Sequence, residues 1–276
     1  MSTMRSKVIR VWEVLDAGET ARSAYERVLA RPTSLEVARN TICLLLWLET
    51  IAGVHVLEDV SAMEGSGNIT LSRLVTEADA LYNYLLHGRE ALPEPCCLAG
   101  IPAIEALCSS GRLVDLRFFK FHRDLVARGL TVVRDTIAEV VFSDRLHAML
   151  RRFEDEVHSS TTSVTTSVLP APELIAPFVA ITRTPPEDSR TAFVAFWEGH
   201  PLSSQDIVNY FERRLGFGRC IERVETEQPS AGQTPKHAVI VFSSAALRQQ
   251  VMFNETAVYY RVNGYDMWVQ AYKPSL

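Results

Sequence analysis

The sequence predicts two folded units of different class, an all-α bundle followed by an α+β domain of order β-α-β-β-α-β. Two observations carry this reading. Up to about residue 157 apolar residues recur at three- and four-residue spacing, the period of a helix face, and from residue 189 onward they alternate, the period of a strand. Between the two regimes, residues 158–188 are rich in Ser, Thr and Pro and read as a linker. With 276 residues, 47% hydrophobic and 22% charged, the chain is long and apolar enough for two cores.

In the first region, residues 1–157, Val8, Trp12 and Leu15 fall on one helical face, and Tyr25, Val28 and Leu29 continue the pattern. Pro32, Thr33 and Ser34 then give a stop and a new N-cap before the helix that carries Leu44 to Trp47. Leu71, Leu74, Val75, Ala78, Leu81, Tyr82 and Leu85 mark another helix, ending at His87-Gly88. After the Pro-interrupted "REALPEPCCLAGIP", helical spacing returns in "DLRFFKFHRDLVARGL" and in "DTIAEVVFSDRLHAMLRRFEDEV". Within the linker the apolar "LIAPFVAI" is expected to dock against a folded part.

In the second region, residues 189–276, "TAFVAFW", "RCIERVET", "KHAVIVF" and "YDMWVQAY" read as strands, the last introduced by the turn Asn263-Gly264. "SSQDIVNYFERRLG", capped by Ser203 or Ser204, and "SSAALRQQVMF" read as helices. This order predicts a ferredoxin-like split β-α-β arrangement: two helices on one face of a four-stranded antiparallel sheet, the other face open.

The residues that carry a resemblance lie here. "AFVAFW" sits where the RNA recognition motif family has its first-strand signature, Phe211 stands at that family's core aromatic, and "VNGYDMWVQAYKP" is similar to its closing strand. The whole chain, with "LLLWLET", "RFFKF" and "RTAFVAFWEGHPLS", resembles a plant-specific family with a helical N-terminal domain and a C-terminal RNA recognition motif-like domain. The resemblance implies a regulatory RNA-binding protein, without cofactor, that contacts single-stranded RNA through the open sheet face. A nucleotide-binding α-β plait is the corresponding fold.

Weighed residue by residue, the third-strand signature is atypical. It runs basic-Gly-aromatic-Gly/Ala-aromatic-Val-x-aromatic, with the third and fifth positions stacking on bases. Pro235 to Phe242 occupy those positions, so Pro235 replaces the basic residue with Lys236 adjacent, His237 is third, and Val239 is fifth and cannot stack. Ala238, Ile240 and Phe242 keep the core-facing side. Phe193 on the first strand, His237, and Trp268 and Tyr272 on the last, with Lys236, form the candidate RNA-binding platform. An aromatic sheet face also docks well against protein, which makes an interaction adaptor that no longer binds RNA the alternative.

Charge favours weak RNA binding at most. From Asp188 to Leu276 nine Lys and Arg stand against nine Asp and Glu, leaving the whole net charge of −5 on the remainder. Neither part has the basic footprint of a strong nucleic-acid binder, so the helical domain is expected to recruit a protein partner.

No catalytic or metal-binding constellation is found, and the chain reads as a non-enzyme. "FHRDL" copies kinase catalytic-loop letters without the companion motifs and reads as a charged helix face. His147, Glu154, Glu156 and His158 read as a solvated helix end, and "GSGN" at Gly65 and "LGFGR" at Gly216 as turns. Five cysteines with no C-x-x-C pair, the pair Cys96-Cys97 included, indicate a reducing compartment, nucleus or cytoplasm. "TICLLLWLETIAG" is too short to span a membrane and the N-terminus lacks a secretory signal, so neither a membrane partner nor secretion is expected.

Overall fold

The computed structural model describes residues 8–52, 55–63, 68–88, 100–108, 114–160, 169–180, 184–197, 200–216 and 218–273. The linker residues 161–168, the pair Cys96-Cys97 and Gly65 lie outside them. The protein is mixed α+β, with helices first and one five-stranded antiparallel sheet after them.

The helical part is built as its apolar spacing requires. Helix α1 spans Val11–Ala17 and α2 Glu19–Leu29, where Ala21, Ala24, Tyr25 and Val28 form the buried stripe. Helix α3, Leu35–Ala52, starts on a cap in which the Ser34 hydroxyl accepts from the Val37 amide at 3.2 Å. Its segment from Asn40 to Leu48 is buried on every side, as expected of a helix central to a bundle. Among the described residues, helices α4 (Val56–Ala62), α5 (Asn68–Leu86), α6 (Pro102–Leu107), α7 (Leu116–Phe121), α8 (Arg123–Asp135), α9 (Ile137–Val141) and α10 (Asp144–Ser160) follow. Gly129 on α8 lets this helix approach α3: a Cβ there would stand 2.2 Å from Trp47 Nε1.

Of three expectations outside the sheet, one holds and two change. Val8 and Trp12 are exposed while Val14 and Leu15 are buried: Val8 precedes α1, and Trp12 lies on the side of α1 that faces solvent. "LIAPFVAI" does dock: the short helix α11, Pro172–Ile175, inserts Leu174 between Val14, Leu15 and Val140, and the Phe178 amide donates to the Ile9 carbonyl at 2.8 Å. His147 is not solvated either, since it is buried and its Nε2 lies 2.9 Å from the Val141 carbonyl.

In the C-terminal part the strands are β1 (Thr191–Phe196), β2 (Ile221–Thr226), β3 (His237–Phe242), β4 (Ala257–Val262) and β5 (Tyr265–Ala271), in sheet order β2-β3-β1-β5-β4. Four strands were expected. The additional one, β4, pairs with β5 across Asn263 and Gly264, whose positive φ values of 51° and 86° suit a two-residue hairpin turn. Helix α12 (Ser204–Leu215) is capped by Ser203 and α13 (Ala245–Val251) by Ser244. Both helices pack on the face that carries Ala192, Val194, Ala238, Ile240, Phe242, Met267 and Val269, with Phe211 among them.

The opposite sheet face does not form a core of its own. Phe193, Ala195 and Tyr272 belong to the same apolar cluster as Trp47, Phe118, Phe119 and Leu130. One continuous core therefore joins the helical bundle to the sheet. No helix among the described residues is long and apolar enough to cross a membrane.

Candidate functional site

The platform residues stand together on one sheet face, but that face is covered. Strand alternation puts Phe193, His237, Val239 and Tyr272 on the side away from α12 and α13, and β1–β3 pairing sets Phe193 opposite Val239. Helix α7 lies across them. Phe193 is 0% exposed, Tyr272 0% and His237 1%. The expectation of an open face is corrected on this point: a base cannot stack on Phe193 or His237 unless α7 leaves.

The cover is aromatic and polar at once. The Phe118 ring sits 5.2 Å from Phe193, 5.7 Å from His237 and 5.4 Å from Phe119, all edge to face. His122, one residue beyond α7, lies 4.7 Å from Phe193 and 6.0 Å from His237. It is buried, and the reading of "FHRDL" as a charged helix face fails for this residue. Neither of its ring nitrogens has a hydrogen-bond partner among the described residues. Burial, and after it the neighbouring His237, hold its pKa well below the usual imidazole value, so His122 sits neutral in the core.

Four polar ties surround this centre. Asp115 caps α7 by accepting from the Phe118 amide at 2.7 Å, and the same oxygen lies 3.0 Å from His237 Nε2. Lys236 Nζ reaches the other Asp115 oxygen at 3.5 Å. Burial raises the Asp115 pKa, but His237, the Phe118 amide and Lys236 outweigh it and hold the carboxyl at about 2. Arg117 forks onto Glu227 with two bonds of 2.8 Å, and Glu227 also accepts from the Lys236 amide at 2.9 Å. The Tyr272 hydroxyl donates to the Leu125 carbonyl at 2.8 Å. Arg128 on α8 forks onto the fully buried Asp188 at 2.7 and 3.2 Å.

Trp268 is the exception among the candidates. It is half-buried, packs at the margin of the joint core and meets the exposed Tyr259 of β4 at 4.2 Å. Asp115, Arg117 and Phe118 were not named as site residues from sequence, and His122 was read only as part of a charged helix face. The signals were present in "DLRFFKFH": an Asp three residues before Phe118, the spacing of an N-cap, and more aromatic residues than a six-residue helix can bury against its own bundle.

Burial pushes the Cys43 and Cys108 thiols up to about 12, and no group of His, Cys, Asp and Glu among the described residues could hold a metal ion. The arrangement is a packed joint between the helical bundle and the sheet of the same chain. Comparison with protein-family models, with curated proteins and with solved structures gives no match.

The buried imidazole makes the joint acid-sensitive. In the unfolded chain His122 takes a proton below about pH 6.5, whereas in the fold it resists protonation. The unfolded state then binds more protons, so stability falls as pH drops below 6.5. Asp115 acts further down: its contribution is complete above 3.8 and is lost as pH falls through about 2. Urea midpoints between pH 7.5 and 5 are expected to decline, and His122→Leu is expected to flatten that slope. An unchanged slope in the variant would remove His122 from this account.

Proposed function

We propose that this chain is a non-enzymatic interaction adaptor in which an RNA recognition motif-like domain has turned its base-binding face into the seat of the helical domain. Without β4, the sheet order is β2-β3-β1-β5, connected through α12 and α13, which supports a ferredoxin-like plait extended by one edge strand. The observation that carries the functional reading is the burial of Phe193, His237 and Tyr272 beneath α7. The loss of an aromatic at Val239, and equal numbers of acidic and basic residues from Asp188 onward, point the same way. On this reading the resemblance to the plant family concerns architecture, and RNA contact is not retained.

The test is titration of the full chain with labelled single-stranded RNA of mixed sequence at low salt, followed by anisotropy. The expected result is no saturable binding. Saturable binding at micromolar protein would overturn the adaptor reading in favour of an RNA-binding regulator.

A further inference from the structure

The two edges of the sheet are built differently. Strand β2 is guarded as edge strands usually are: its register shifts between Ile221 and Arg223, and it carries Glu222, Arg223 and Glu225 in ion pairs with Arg190, Glu187 and one another. Strand β4 is less protected. Its register against β5 is regular from Ala257 to Val262, and its one charged residue, Arg261, is tied to Asp266 on the inner neighbour at 2.8 Å.

Hydrogen-bond alternation fixes which groups β4 presents. The Ala271 amide donates to the Thr256 carbonyl, so Val258, Tyr260 and Val262 stand at the positions bonded to β5. The backbone N–H and C=O groups of Ala257, Tyr259 and Arg261 then point outward, and no described strand pairs with them. Tyr259 is 57% exposed beside Trp268.

We propose that β4 is a self-association edge, at which a second copy of this chain adds its own β4 antiparallel about a two-fold axis through Tyr259. The inference rests on the adaptor reading and names a partner for it. In this register Tyr259 faces the partner's Tyr259, Ala257 faces the partner's Arg261, and every outward-pointing pair exchanges two hydrogen bonds. The charge pattern selects this occupant. The single charge on the strand meets an alanine, so no like charges oppose each other, whereas any pairing through β2 would set its charged residues against the added strand. Trp268 and Tyr259 of both copies then form one continuous aromatic row.

A six-residue strand pair is small for an interface, so the dimer belongs in the range of about 10–100 micromolar. The experiment is sedimentation equilibrium of the full chain over that range. Wild type is expected to move from 30.9 kDa toward twice that mass. Tyr259→Lys and Tyr259→Glu each place like charges at the two-fold and are expected to stay monomeric alone, with roughly tenfold or greater loss of affinity, and to associate when mixed. Ala257→Pro removes an outward donor without touching the β5 ladder and is expected to weaken the dimer as well. Far-UV circular dichroism checks that each variant is folded. Wild type that stays monomeric throughout, a lysine variant that dimerises like wild type, or a mixture that fails to associate overturns the proposal. The measurement contains no RNA, so its failure leaves the adaptor reading standing.

Discussion

Phe118→Ala is expected to destabilise the protein by about 3–5 kcal/mol, the cost of removing a fully buried phenyl ring and leaving a cavity. The site makes collapse around that cavity difficult. Phe119 and His122 surround the ring from the bundle, and Phe193 on β1 and His237 on β3 from the sheet. Urea unfolding should show the loss in the midpoint with little change in slope. The cost should fall on both parts, because the cluster around Phe118 is one core. A helical part that melts earlier while the sheet keeps its wild-type midpoint would show that the cover contributes nothing to the sheet.

Arg128→Ala is expected to cost about 3 kcal/mol or more, through charge left unpaired and not through lost packing. Asp188 has no exposed surface, and the Arg128 fork is its ion pair. Removing the arginine alone strands a buried carboxylate. Removing both charges, in Arg128→Ala with Asp188→Asn, should restore part of the loss. A double variant as unstable as the sum of the singles would mean that the pair does not bind these elements together.

Much of the architecture was legible in the sequence. The change of apolar spacing near residue 189 separated bundle from sheet, and Ser203 and Asn263-Gly264 marked a cap and a turn that the structure contains. The two faces of the sheet were legible as well: Ala238, Ile240 and Phe242 point to α12 and α13, while Phe193, His237 and Tyr272 point away. Strand β4 was missed although Val258, Tyr260 and Val262 alternate inward, since the turn after them was read only as the start of the next strand.

What could not be read was the occupant of the aromatic face. Local periodicity says that Phe118 is apolar and helical. It does not say that Phe118 meets Phe193, seventy-five residues later, because that contact is fixed by three-dimensional docking. The same aromatic row fits a base or a phenyl ring.

The contact between the Phe118 and Phe193 rings is the most direct test of that docking. In a double-mutant cycle with Phe118→Leu and Phe193→Leu, measured by urea unfolding, apolar bulk is kept and only the ring-to-ring geometry is lost. The covered face predicts a coupling of about 0.5–1.5 kcal/mol between the two positions. Strict additivity, with both single variants measurably destabilised, would mean that the rings do not meet in solution and that the sheet face is free.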